Sequence, residues 1–410
     1  MTSIAVVDKP AELGLDAGRL ARIRPFFEER YVRPGKLAGI VTLVARRGQV
    51  AHLEAFGSRE LASGAPMQQD TLFRIYSMTK PIVSVALMSL YEEGLFQLDD
   101  PVSRFIPSWA DLRVWNDGTA DSWSTSFPER EMQVRDLLTH TSGLTYGFMG
   151  RHPVDTLYRR RGVEREGAEN LQEMVDRLAE IPLLFSPGTR WSYSVATDVC
   201  GYLCEVLAGK PLDEVLAERV LGPLGMTDTS FSVAEADVER LSANYAWTPD
   251  EPLALFDAPA TSSYLTPPTF LSGGGGLVSS AADFLRFMTM LVNRGELDGV
   301  RVLGRKTVEY MTSNHLPGGV DLAAMGQKVF SEISYDGIGF GLGFSVMLDP
   351  ARAGVIGSVG EHGWGGAAST MFWVDRSEEL CGLLLTQLMP SSRYPIRREM
   401  KSLAYQALVD

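Results

Sequence analysis

Apolar residues three and four apart over 15–31, with Leu20, Ile23, Phe26 and Phe27 on one side, predict a helix near the start of the chain. The period then changes. LAGIVTLVARRGQVAHLEAFG (37–57) is β-branched and apolar on both flanks of RRGQ, which predicts a β-hairpin. After Ser77, the run Ile82, Val83, Val85, Ala86, Leu87, Met88 and Leu90 leaves no polar stripe, so this helix is expected to be buried all round. Gly94 and Pro101 break its pattern. From 100 to 265 the chain reads as helical patches (VRDLLTH, NLQEMVDRLAEI, ATDVCGYLCEVLAG, LDEVLAERVLGPLGM) joined by Pro/Gly loops, without a strong strand signal. Strand patterns return at 337–348, 368–375 and 379–388, and an amphipathic helix closes the chain at 395–408.

This order predicts an α/β (α+β) protein: one antiparallel sheet built from both chain ends, flanked by the terminal helices, with a mostly helical inserted domain. The expected division is 1–99 together with 266–410 for the sheet domain, and 100–265 for the helical one. With 410 residues, 45% of them hydrophobic, there is material for large cores and for two or three such units. A net charge of −13 argues against a nucleic-acid partner and against an anionic membrane surface. Arg159, Arg160 and Arg161, with Arg151 and Arg165 nearby, are interleaved with Glu164 and Glu166 and read as a solvated helical face.

No stretch approaches the roughly eighteen apolar residues of a membrane span. MTSIAVVDKPAELG has neither a basic start nor a sustained apolar segment, so no signal peptide is read there. Three cysteines, Cys200, Cys204 and Cys381, are too few for a disulfide framework and suit a reducing compartment, the cytoplasm by default. The first two are one helical turn apart and read as core packing.

Against this background the stretch RIYSMTKPIVSVALMSL (74–90) stands out. It puts Lys80 at the mouth of an apolar helix, where an uncompensated ammonium is costly, and only seven of the 38 basic residues are lysine. Ser77 as a helix N-cap, with Pro81 in the first turn and Lys80 snorkelling to water, is the plain explanation. About half of one S-x-x-K match is expected by chance. The surroundings say more. A lysine at the start of a helix buried all round is partly desolvated, which disfavours its ammonium and lets the amine take a proton from a hydroxyl. At i and i+3 the Ser77 and Lys80 side chains share a face, and the helix dipole there favours an oxyanion.

Rival arrangements are absent from the sequence: there is no G-x-S-x-G elbow, no H-E-x-x-H and no P-loop, and Gly337, Gly339, Gly341 and Gly343 do not make G-x-G-x-x-G. Two further elements qualify. In FSPGTRWSYSVATDVCGYL, Tyr193 lies at a loop–helix junction, where its phenol can carry a proton for Ser77; as a lone residue it is equally a packing tyrosine. In GEHGWGGAASTMFWVD, three glycines surround Trp364 before a strand, so something approaches this backbone closely, or the turn holds a packed indole.

Together, SMTK, DLLTHTSGLTYGF (136–148), PGTRWSYSVATDVCGYLCEVLAGKPLDEVL, PLGMTDTSF, SGGGGLVSSAADFLRFMTMLVNRGELDGVRVL and HGWGGAAST resemble, in order and over nearly the whole chain, the serine β-lactamase and penicillin-binding-protein superfamily. More narrowly they resemble its class C β-lactamase-like carboxylesterases, the family VIII esterases. The resemblance implies a β-lactamase/DD-peptidase-like fold with the site in a cleft between the two domains. It implies Ser77 as nucleophile, Lys80 as its activating partner, Tyr193 as general acid/base, and the N–H groups of Ser77 and Ala367 as the oxyanion hole. No cofactor or metal is implied.

Two departures bear on substrate. Tyr-x-Asn of the lactamases reads Tyr193, Ser194, Val195 here, so the amide that holds a lactam side chain is missing. The Lys-Thr-Gly place is occupied by Trp364, Gly365 and Gly366, and an indole favours neutral, partly apolar acyl groups over a lactam carboxylate. His362 is expected to restore some positive charge. The expected activity is therefore hydrolysis of small-molecule esters of short to medium acyl chain through an acyl-serine. A β-lactamase, D-amino-acid peptidase or other amide hydrolase on the same scaffold, an acyltransferase, and a binding protein without turnover stand as alternatives. Natural substrate and oligomeric state are not legible.

Overall fold

Eight strands form one antiparallel sheet whose two halves come from opposite ends of the sequence. They are β1 (Gly39–Arg46), β2 (Gln49–Glu60), β3 (Ala65–Pro66), β4 (Ile338–Phe340), β5 (Ser345–Met347), β6 (His362–Gly365), β7 (Met371–Asp375) and β8 (Leu380–Leu385), in the order β4-β5-β6-β7-β8-β1-β2-β3. The computed structural model describes residues 4–165, 167–326 and 334–410, so Glu166 of the arginine cluster and the first three residues lie outside it. The join between the halves is β1 against β8, with Val41 opposite Leu385 and Arg46 opposite Leu380.

Strand alternation explains why both faces are covered. Val41, Leu43, Phe372, Val374, Leu383 and Leu385 point into the larger core, and Phe372 meets Phe284 and Phe287 of a helix at Ala281–Val292. Ile40, Val44, Met371, Trp373, Leu380 and Leu384 point the other way, into a second core closed by the terminal helices. The C-terminal helix there is Ile396–Tyr405. The N-terminal segment is not one helix, as its pattern predicts, but Ala17–Leu20 and Ile23–Phe27 followed by a wide turn at Glu28–Val32; Leu20, Ile23 and Phe27 are buried nonetheless.

Two other expectations change. The 337–348 pattern is a short hairpin, β4 and β5, rather than one strand, because the chain reverses between Phe340 and Ser345. The stretch 100–265 contains a hairpin, Val114–Thr119 with Ser122–Ser126, and short strands at Asn244–Ala246 and Ala254–Asp257. VWNDGT and SWSTS are largely exposed and polar, so no burial pattern marks them as strands. Cys200, Cys204 and Cys381 are free and buried. Among the described residues no helix is long and apolar enough to cross a membrane.

Candidate active site

Helix α1 (Thr79–Glu92) is buried on every side from Thr79 to Leu90, as its composition predicts. Ser77 does not cap it. The serine lies in a preceding 3-10 turn, Tyr76–Met78, and its hydroxyl is engaged by two other side chains. Tyr193 Oη donates to Ser77 Oγ at 2.6 Å, and Lys80 Nζ lies 3.4 Å from the same oxygen. Tyr76, just before the serine, has φ 43°, a left-handed conformation unfavourable for a residue with a Cβ. Asn244 Nδ2 donates to the Tyr76 hydroxyl at 2.9 Å and helps hold it there.

Lys80 is 2% exposed, yet its ammonium is not abandoned. Nζ donates to the Gly274 carbonyl at 2.6 Å and to Tyr146 Oη at 2.9 Å, and lies 4.5 Å from the centre of the Tyr193 ring. With Ser77, three acceptors meet three N–H groups. A buried carboxylate completes the balance: Asp198, 3% exposed, lies in the first turn of α2 (Ala196–Ala208) within the field of Lys80. It accepts from Ser272 Oγ at 2.6 Å and from the Gly274 N–H at 2.9 Å. Burial raises its carboxyl above the usual range, while Lys80 and these two bonds oppose the rise.

Tyr146, Asp198 and the Gly274 backbone are the parts that sequence reasoning missed. All three sit in stretches quoted above, but nothing in a one-dimensional pattern says that a glycine run will pass under a lysine 194 residues away. Gly274 must be glycine, since a Cβ there would come within 2.4 Å of Asp198 Oδ2. Burial, reinforced by Asp198, pushes the Tyr146 phenol well above its ordinary value, so it stays protonated. His140 packs 5.0 Å from the Tyr193 ring; burial and the Lys80 charge hold it well below the usual imidazole range, hence neutral.

The remaining wall is β6. Trp364 stands over Tyr193, with ring centres 5.6 Å apart and Nε1 3.4 Å from the phenol oxygen, and makes an edge contact with Phe340 at 5.3 Å. Gly366 lets the turn after β6 press on the segment that carries Ser77: a Cβ would lie 2.4 Å from the Ile75 carbonyl and 2.3 Å from Thr370 Oγ1. Behind Gly365 lies the Arg397 guanidinium. The next residue, Ala367, is exposed to the cleft, and its N–H makes no backbone hydrogen bond among the described residues. Val195 is buried beside Tyr193 and also lines the cleft.

His362 does not supply the expected positive charge. It is 1% exposed, and burial, reinforced by Arg376, lowers its pKa to about 3. The whole cleft has a volume of about 1260 Å³, and Ser77, Tyr193 and Trp364 lie together in its wall. Replacing Gly366 by alanine is expected to cost roughly 1–3 kcal/mol, because rigid backbone must move. A thermal melt checks this, and an unchanged midpoint would mean the turn has slack.

A serine hydroxyl held between a phenol and a buried lysine is equipped for acyl transfer through a covalent serine. The chain belongs to the β-lactamase family, whose match (described as Beta-lactamase) spans residues 27–406. It is 39% identical over 362 residues to Protein Rv1367c of Mycobacterium tuberculosis, covering 87% of each chain. To Esterase EstB of Burkholderia gladioli it is 34% identical over 398 residues, 92% of this chain and 93% of that one. Among solved structures it is similar to EstCE1, a hydrolase with promiscuous acyltransferase activity, with a TM-score of 0.79 at 28% identity over 95% of this chain and 99% of that one. The fold is that of the β-lactamases and penicillin-binding proteins.

Proposed function

We propose that this protein is a serine carboxylesterase acting on small-molecule esters, with Ser77 as nucleophile and Tyr193 and Lys80 as its proton-handling partners. The observation that carries the reading is the 2.6 Å contact between Tyr193 Oη and Ser77 Oγ above the Lys80 ammonium. Once the Tyr193 phenol has given its proton to solvent, the 2.6 Å contact reverses, and Ser77 Oγ attacks the ester carbonyl carbon as its proton passes to the Tyr193 oxygen, whose charge Lys80 balances. Lys80 itself has each of its three protons directed at an acceptor, and Tyr146 is held as a phenol, which leaves Tyr193 as the carrier. The N–H groups of Ser77 and Ala367 hold the tetrahedral oxyanion. Tyr193 then returns the proton to the leaving alkoxide, and acyl-Ser77 remains. Water attacks the acyl carbon, giving a proton to Tyr193, and the acid departs as Ser77 is re-protonated. The likeness to Esterase EstB supports this reading.

An alcohol entering in place of water would make the same site an acyltransferase. The largely apolar cleft and the likeness to EstCE1 favour this as the second reading. For β-lactams the site lacks a cation: Trp364 stands where a lactam carboxylate would need one, and His362 is neutral. Wild-type protein is therefore expected to cleave p-nitrophenyl butyrate readily and nitrocefin poorly. Trp364→Lys is expected to lower kcat/KM for the butyrate, since a charge enters an apolar wall, and to raise affinity for nitrocefin by about tenfold or less. Measuring both substrates on both proteins decides the matter; a wild-type preference for nitrocefin would overturn the esterase reading.

A further inference from the structure

We infer that the cleft contains a second recognition point, an anion subsite built on Arg165, so that the preferred ester carries a carboxylate remote from the reacting bond. This rests on the esterase reading above. Most charged side chains along the cleft are committed. Asp257 accepts from Arg74 Nε at 2.6 Å and from Ser262 Oγ at 2.9 Å, and Glu361 pairs with Lys401 at 2.5 Å. Arg397 is spent on the carbonyls of Gly366 and Thr370, at 2.6 and 3.0 Å. Glu164, which precedes Arg165 in the sequence, accepts from the Gly147 N–H.

Arg165 differs from these, and from the exposed arginines before it in the sequence. Arg160 and Arg161 form ion pairs with Asp121 and Glu180 on the surface, as a solvated helical face should. Arg165 instead lines the cleft, with Nη2 donating to Ser263 Oγ at 2.9 Å and its guanidinium carbon 5.0 Å from the centre of the Tyr264 ring. No carboxylate among the described residues forms an ion pair with it. An arginine held by a ring and a hydroxyl is already ordered, so binding an anion costs little side-chain entropy. The Ser263 bond uses one of the five guanidinium N–H groups, so a fork of donors stays available for an anion. Ser263, whose oxygen accepts from Arg165, also carries a hydroxyl hydrogen able to donate to an anion. Beneath them Tyr264 is 4% exposed, with the Arg165 guanidinium against its ring.

The chemistry of the occupant follows. One guanidinium with a hydroxyl beside it matches a carboxylate, which accepts two parallel N–H bonds. Apolar walls lie in the same cleft: Phe148, stacked 4.7 Å from Tyr146, and Phe256 expose large aromatic surfaces. Such surfaces fit an apolar spacer between ester and carboxylate. The inferred substrate class is an ester with an apolar body and a terminal carboxylate, on either the acyl or the alcohol side.

The test compares charged and neutral esters in matched pairs: mono-p-nitrophenyl suberate with p-nitrophenyl octanoate for the acyl side, and 4-(butyryloxy)benzoate with phenyl butyrate for the alcohol side. The ratio of kcat/KM, charged over neutral, is expected to fall about tenfold in Arg165→Gln for one pair, and less in Arg165→Lys. In the wild type the same ratio should fall as NaCl rises from about 0.05 to 0.5 M, an arm independent of any variant. A ratio within about twofold of wild type in Arg165→Gln for both pairs overturns the subsite, as does a fall produced instead by Arg398→Gln, the exposed cleft arginine of the C-terminal helix. Should the wild type cleave none of the four esters, the esterase reading fails. Calorimetric titration of suberate into wild type and Arg165→Gln then still tests the anion subsite.

Discussion

Ser77→Ala is expected to reduce ester hydrolysis by at least about 10³-fold and to abolish labelling by a fluorophosphonate, with the thermal midpoint nearly unchanged. Removing one oxygen takes away the atom that Tyr193 and Lys80 both approach, at 2.6 and 3.4 Å. The stability forecast has its own reason. Ser77 caps no helix, Lys80 keeps the Gly274 carbonyl and the Tyr146 hydroxyl as acceptors, and the two donors that lose Ser77 Oγ do so at the cleft wall, where water can take its place. Active-site titration with mass spectrometry of the labelled peptide checks both parts. Stoichiometric labelling of another serine in the variant would remove Ser77 from the mechanism.

Tyr193→Phe is the second large effect. The substitution keeps the ring that packs against His140, Tyr146 and Trp364 and removes only the phenol oxygen. Loss of a positioned proton carrier is worth ~10²–10⁴-fold, and it should appear in kcat with little change in KM, because the oxygen acts in the transition state rather than in binding. Steady-state kinetics on p-nitrophenyl butyrate measures this split. Turnover within a factor of two of wild type would transfer the proton role to Lys80, the other group that touches Ser77.

How far the site could be read in advance differs from residue to residue. Ser77 and Lys80 are three apart on the same helical turn, so their proximity follows from local geometry alone. Tyr193 is 116 residues further on, and its place was legible through motif resemblance rather than through any physical rule acting along the chain. Asp198 and Tyr146 carry no such mark. An aspartate in the first turn of a helix and a tyrosine in a loop are common, and their role under Lys80 appears only when α2, the glycine run and α1 are packed together. His362 shows the converse. A histidine beside Trp364 suggested charge, but β6 turns it into the interior, where burial removes that charge.

The alternation that gives the sheet two buried faces, the burial of α1 on all sides and the Ser77–Lys80 pair are legible along the chain, because each depends on periods of two to four residues. The sequence likewise shows that the lysine needs a counterpart. Tertiary structure alone decided what that counterpart is, a carbonyl, a phenol and a carboxylate drawn from three separate segments. It also decided which arginine faces solvent and which faces the cleft. Such groups meet only when non-local packing closes, and the desolvation that shifts Asp198, Tyr146 and His362 exists only in that packed state.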